Sequence, residues 1–198
     1  MEGPLSVNPW VAFGILAGSG ALAVLAADAR LALAAIAGQY IGAGLLLAYM
    51  GAQPLAWLHM VVGGLACLIL YLGLRGQPKT RPREEPPVPL PFRIMALMLT
   101  LLAGGLLHAR WPLPYAGGLT SLACFGLAGL FVAQAGLYRE PIRAGLGALT
   151  LLTAVSLYLY GAGGGLLLTA WALASHLMVS LAVGHLQSTW SAAAEEEA

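Results

Sequence analysis

Charge is what this sequence has least of. Only 9% of its 198 residues are Asp, Glu, Lys or Arg, where a soluble domain carries roughly a quarter. That scarcity excludes an ordinary soluble globular chain. No Asp or Glu falls inside any long apolar run, so paired-carboxylate acid–base chemistry is excluded as well. Cysteine occurs twice, at Cys67 and Cys124, each within an apolar run, and both read as small buried hydrophobes. With no CxxC, no Cys/His cluster and no haem-attachment pattern, the sequence points to no metal site and no cofactor. No nucleophile–base pair and no phosphate-cradling glycine loop is present, so no catalytic residue is assigned. Gly161 to Gly165 reads as an outer turn. The net charge is +1, with the basic residues spread over loops, which gives no surface for nucleic acid.

What the sequence has in abundance is apolar length. It is 60% hydrophobic, with a mean hydropathy of +0.83. A membrane-crossing helix needs about 20 mainly apolar residues, because lipid offers no partner to open backbone groups. Seven such windows occur, near 9–27, 31–50, 55–74, 93–108, 117–137, 142–160 and 165–186. The fold class expected is therefore an all-α integral membrane protein with seven transmembrane helices. Taking alternate loops, Arg30, Arg75, Lys79, Arg81, Arg83, Arg93, Arg139 and Arg143 fall on one side and Arg110 on the other. The positive-inside rule then places the N-terminus outside and the C-terminus in the cytoplasm. Met1-Glu2-Gly3-Pro4 lacks a basic leader, so helix one is expected to be retained.

The organisation expected is two three-helix units, helices 1–3 and 5–7, running in the same directions and joined by a crossover helix. Residues 1–74 hold helices one to three, 75–93 a proline-rich cytoplasmic linker, 94–116 a short helix four and its outer loop, 117–186 helices five to seven, and 187–198 an acidic tail. Such repeats occur in transporters and in modular energy-converting complexes alike. Gly14 and Gly18, Gly38, Gly42 and Gly44, and the Gly104-Gly105 pair mark faces where another backbone can approach closely. Gln39 and Tyr40 lie near mid-membrane, as an interhelical hydrogen bond or as part of a transport site. Trp57 and His59 are placed near the outer interface, as are His108 and the Trp111 to Tyr115 loop.

The closing pair of helices holds a candidate polar seam. Thr150, Thr153, Ser156 and Tyr160 recur at spacings of three and four, which puts them on one helical face. Thr169, His176 and Ser180 share a face of the next helix, with Ser175 beside them. The two stripes are expected to meet at similar depth. His176 is the imidazole nearest the middle of a helix, and two readings are open for it: a neutral ring hydrogen-bonded to a hydroxyl across the seam, or a proton relay.

This hairpin resembles the K subunit of respiratory complex I. That family follows a basic turn with Gly, any residue, Glu, three residues and Asn-Ala; here Arg139 precedes Gly147, then Leu149 at the Glu position, Thr153 at the Asn position and Ala154 matching. The family's second membrane Glu corresponds to Ser175 or His176. In length, helix number and the linker after helix three, the whole chain resembles membrane component E of the hydrogenase-4 and membrane-bound hydrogenase complexes. The resemblance implies a non-catalytic subunit in a bacterial or archaeal cytoplasmic membrane. Its partners would be antiporter-like and other membrane subunits, together with lipid. Two other functions are open on the residues alone. One is a stand-alone transporter or channel with Gln39, Tyr40, Thr153 and His176 lining a midplane site; the other is an accessory subunit of another respiratory or photosynthetic complex.

Overall fold

Asn8 opens the first helix, its side-chain oxygen accepting from the Trp10 amide at 3.0 Å while Pro9 takes the first helical position, where a missing N–H costs nothing. In the computed structural model, which describes residues 8–75, 88–138, 140–164 and 166–196 and the side chains of these except at 166 and 190–196, seven α-helices follow one another. They are α1 (Pro9–Leu25), α2 (Ala29–Tyr49), α3 (Gln53–Arg75), α4 (Leu90–Arg110), α5 (Gly118–Leu137), α6 (Pro141–Gly161) and α7 (Leu166–Glu196). No strand occurs among the described residues. Six of the helices, α2 to α7, are long and apolar enough to cross a membrane.

Three boundaries differ from the sequence reading. At 17 residues α1 is shorter than the span expected over 9–27, because the chain turns at Ala26 and Asp28 then caps α2 by accepting from the Arg30 amide at 2.9 Å. Helix four is not short. It runs 21 residues, with Pro89 at its cap and Pro91 in its first turn, so the last prolines of the expected linker start a helix instead of preventing one. Residues 187–196, read as a tail, continue α7. Most of the linker, with Lys79, Arg81 and Arg83, lies outside the described residues, as do Arg139 and Gly165.

Consecutive helices pack as α1–α2–α3 and as α5–α6–α7, and the two rows lie against each other with α1 on α5, α2 on α6 and α3 on α7. α4 closes the side formed by α5 and α1. Glycine sets several of these approaches. At Gly42 a side chain would come within 2.6 Å of the Leu16 backbone nitrogen, and at Gly129 within 2.8 Å of the Thr100 carbonyl. Gly104 is likewise held close to the Phe125 carbonyl, whereas Gly105 is open. Gly14 and Gly18, expected to mark a packed face of helix one, meet nothing within 4 Å; Gly20 does that work, against Leu130 and Gln39. The turns after α2 and α6 use Gly51 (φ +89°) and Gly163 (φ +71°), a backbone region that glycine enters without strain.

One end of the bundle is tied by cations. Arg143 is 2% exposed and donates to the Ala23, Ala26 and Ala27 carbonyls at 3.3, 2.9 and 2.8 Å. Arg93 donates to the Leu25 carbonyl at 2.6 Å, and the Tyr138 hydroxyl to that of Val24 at 2.7 Å. The last carbonyls of α1, which have no intrahelical donor, are thus met from α4, α5 and α6. The partial negative charge there favours cations, and Asp28 and Glu140 lie close enough to add to it.

Candidate functional site

α2, α3 and α7 each send one ring into the middle of the bundle. Tyr40, His59 and His176 are 2%, 1% and 0% exposed. Their ring centroids stand 5.2 Å apart for Tyr40–His59, 5.6 Å for Tyr40–His176 and 5.5 Å for His59–His176, the last pair edge-on at 86°. Gly63, one turn beyond His59 on α3, makes the slot: a Cβ there would overlap the Tyr40 ring. Cys67, one turn further, also faces Tyr40.

His59 overturns the sequence reading that put it near the interface. It lies six residues into α3, already about 9 Å along the helix at a 1.5 Å rise, and it is wedged between two rings. The signal for it was hairpin register. Tyr40 stands 10 residues before Met50 and Gly63 stands 11 after Ala52, which brings those two level across antiparallel helices and leaves His59 one turn nearer the Met50–Ala52 turn.

The expected seam between α6 and α7 takes another form. Thr150, Thr153 and Ser156 donate to the carbonyls four residues back, Leu146, Leu149 and Leu152, at 3.0, 2.9 and 2.9 Å. Ser175 and Ser180 do the same to Trp171 and His176, at 2.9 and 2.8 Å. In an apolar surrounding a hydroxyl finds its nearest acceptor on its own helix. A cross-helix contact runs through amides: Gln134 Nε2 donates to Thr150 Oγ1 at 3.5 Å, and the single Thr150 hydroxyl proton is shared between Leu146 and Gln39 Oε1, the latter at 3.4 Å, so that α5, α6 and α2 meet. Of the residues assigned to the seam, Tyr40 and His176 meet in the ring cluster, Thr153 approaches the Tyr40 hydroxyl, and Gln39 and Thr150 meet in the amide chain. Ser156 and Ser180 are buried elsewhere on their helices, and Ser175 is only half-buried.

The ring cluster is unusual in what it leaves open. His176 Nδ1 lies 2.7 Å from the Ala172 carbonyl; a carbonyl only accepts, so Nδ1 carries the proton and Nε2 presents a bare lone pair. That Nε2, both nitrogens of His59 and the Tyr40 hydroxyl are buried without a hydrogen-bond partner. Thr153 comes near Tyr40 without the geometry of a hydrogen bond. Among the described residues no group of three or more His, Cys, Asp and Glu side chains is placed to hold a metal ion. The Leu149 side chain is 1% exposed in the apolar core.

No protein-family model, curated protein or solved structure matches this chain.

Proposed function

We propose that this chain is a non-catalytic subunit of a complex I-like or hydrogenase-type ion-translocating assembly in a bacterial or archaeal cytoplasmic membrane. In this reading it packs against antiporter-like subunits, with the Arg30, Arg75, Arg93 and Arg143 end facing the cytoplasm and the N-terminus outside. The two rows, α1–α3 and α5–α7, act as repeated three-helix units with α4 as the crossover that restores direction. In this reading Leu149 stands at the place of the first K-type acid and Ser175 or His176 at that of the second, so the closing hairpin keeps the module's shape and works by contact.

The observation that carries this reading is an uncovered small-residue flank. Gly14 and Gly18 on α1 and Gly105 on α4 have no neighbouring atom within 4 Å of where a Cβ would stand. Beside them an apolar groove of about 250 Å³ opens between α1, α4 and α5, lined by Phe13, Leu16, Leu101 and Leu127. Small residues that leave backbone open are what a neighbouring membrane helix needs for close approach. Purification from native membranes in a mild detergent should bring down larger membrane subunits in fixed ratio. Recovery of a stable solitary monomer counts against the proposal.

A second reading, a stand-alone transporter or channel, is favoured by the unpartnered rings at mid-bundle, with Tyr40, Thr153 and His176 joined by His59. Uptake by proteoliposomes holding this chain alone, lost in His176→Ala, would select it over the first.

A further inference from the structure

Four polar atoms of the three packed rings are buried with no hydrogen-bond partner: the Tyr40 hydroxyl, His59 Nδ1, His59 Nε2 and His176 Nε2. Left dry, each bears the desolvation cost of an unpaired buried group, and inside a membrane no bulk water reaches them. The absence of a side chain at Gly63 is what lets the Tyr40 ring enter the cluster. The set is also chemically complementary. Tyr40 offers a donor; His59 as a neutral ring offers one donor and one lone pair; His176, with its Nδ1 proton on the Ala172 carbonyl, offers only a lone pair.

We propose that the Tyr40–His59–His176 cluster is a hydrated proton-transfer site, with water as the bound ligand and His176 Nε2 as the acceptor. His59 is the group that moves the proton. It takes one on its bare nitrogen from a protonated water delivered from the bath, which is left as neutral water, and the proton on its other nitrogen passes to His176 Nε2 through one bridging water. One N–H bond forms and one breaks on His59, which ends neutral in the other tautomer, while His176 becomes an imidazolium with both nitrogens protonated. That cation is held by the Ala172 carbonyl and by the Tyr40 ring at 5.6 Å. The titratable groups facing it are Tyr40 on α2 and His59 on α3, with Cys67 behind Tyr40. No carboxylate lies at this depth on any of the packed helices, so the charge is not trapped by an ion pair and the proton can return.

The inference goes beyond the function proposed above and needs no partner subunit, so the two fail separately. The test uses the full chain, ¹⁵N-labelled at histidine and reconstituted in lipid bilayers. Expected are a His176 ring protonated at Nδ1, a water cross-peak at Nε2, and exchange of that nitrogen between bare and protonated states as the bath is acidified. His59→Phe keeps an aromatic ring in the slot and should slow the exchange about a hundredfold, the usual contribution of a positioned proton-transfer group. His59→Gln, which keeps a polar group, should slow it likewise and serves if the phenylalanine variant does not fold. His185→Gln, at an exposed position, should leave it unchanged. A His176 Nε2 with no water contact, or one whose exchange is indifferent to both His59 variants, overturns the proposal.

Discussion

The guanidinium of Arg143 stands 4.6 Å over the ring of Tyr138, and both side chains end on the same feature, the open carbonyls at the C-terminus of α1. Two helices that are neighbours in sequence, α5 and α6, thereby grip a third that was made more than a hundred residues earlier. The stacked pair also shields the charge of Arg143 from lipid, which makes a buried arginine tolerable without a salt bridge.

Arg143→Leu removes three hydrogen bonds at once and leaves the carbonyls of buried Ala23 and Ala26 unmet. With charged hydrogen bonds contributing roughly 1.5–3 kcal/mol each, the loss should be at least about 3 kcal/mol. Equilibrium unfolding in bicelles reads it. Arg143→Lys keeps the charge but not the fork that spans Ala23 to Ala27, and should fall between the two. Equal stability of all three proteins would mean that water already serves those carbonyls.

Gly63 and Gly64 are adjacent on α3 and should behave oppositely. A methyl at Gly63 collides with the Tyr40 ring, while one at Gly64 meets nothing within 4 Å. Gly63→Ala should cost about 1–3 kcal/mol through overpacking. Gly64→Ala should be neutral or stabilise by up to about 1 kcal/mol, as alanine does in a helix. The same unfolding titration, run side by side, checks the sign.

The Gln134–Thr150–Gln39 chain is long, at 3.5 and 3.4 Å, and Thr150 also satisfies itself on Leu146. Thr150→Val should therefore cost only about 0.6–1 kcal/mol, the usual size of an interhelical hydrogen bond in a membrane. A double-mutant cycle with Gln39→Leu measures the coupling. A loss as large as that of Arg143→Leu would show that the amides, not the arginines, hold the rows together.

Gly18→Leu separates fold from partnership. Its side chain enters open space, so the thermal unfolding of the chain should stay within about 0.5 kcal/mol of the parent, as for a surface substitution. Co-purification of larger subunits should nevertheless fall sharply. Undiminished recovery of partners would move the proposed interface off α1.

How much of this was written in the sequence depends on distance along the chain. Helix number and type followed from apolar run length, which is a local property. Errors at the ends of α1 and α4 arose where a cap or a proline decided the boundary, and a proline that opens a helix looks in sequence like one that forbids it. The hydroxyl stripe over Thr150, Thr153 and Ser156 was correctly placed on one face. What each hydroxyl would bond was not, since its own carbonyl four residues back competes with any partner across the seam. Tyr40 and His176 could be picked singly as polar groups at depth. Their meeting with His59 needed the register of the α2–α3 hairpin and the packing of α3 on α7, which spacing within one helix does not encode. Arg93 and Arg143 read as loop cations setting orientation; their common target, the end of α1, lies 68 residues or more away.

That common target has a bearing on how the molecule is made. The end of α1 leaves the ribosome with its carbonyls bare, and their three donors sit on α4, α5 and α6, which are synthesised later. Until those arrive, the first helix is held by its packing on α2 while the carbonyls at its end stay unmet. A chain halted before residue 93 should leave that end of the helix open to proteolysis or to a chaperone, and the bundle should close on it in steps as Arg93, Tyr138 and Arg143 are made.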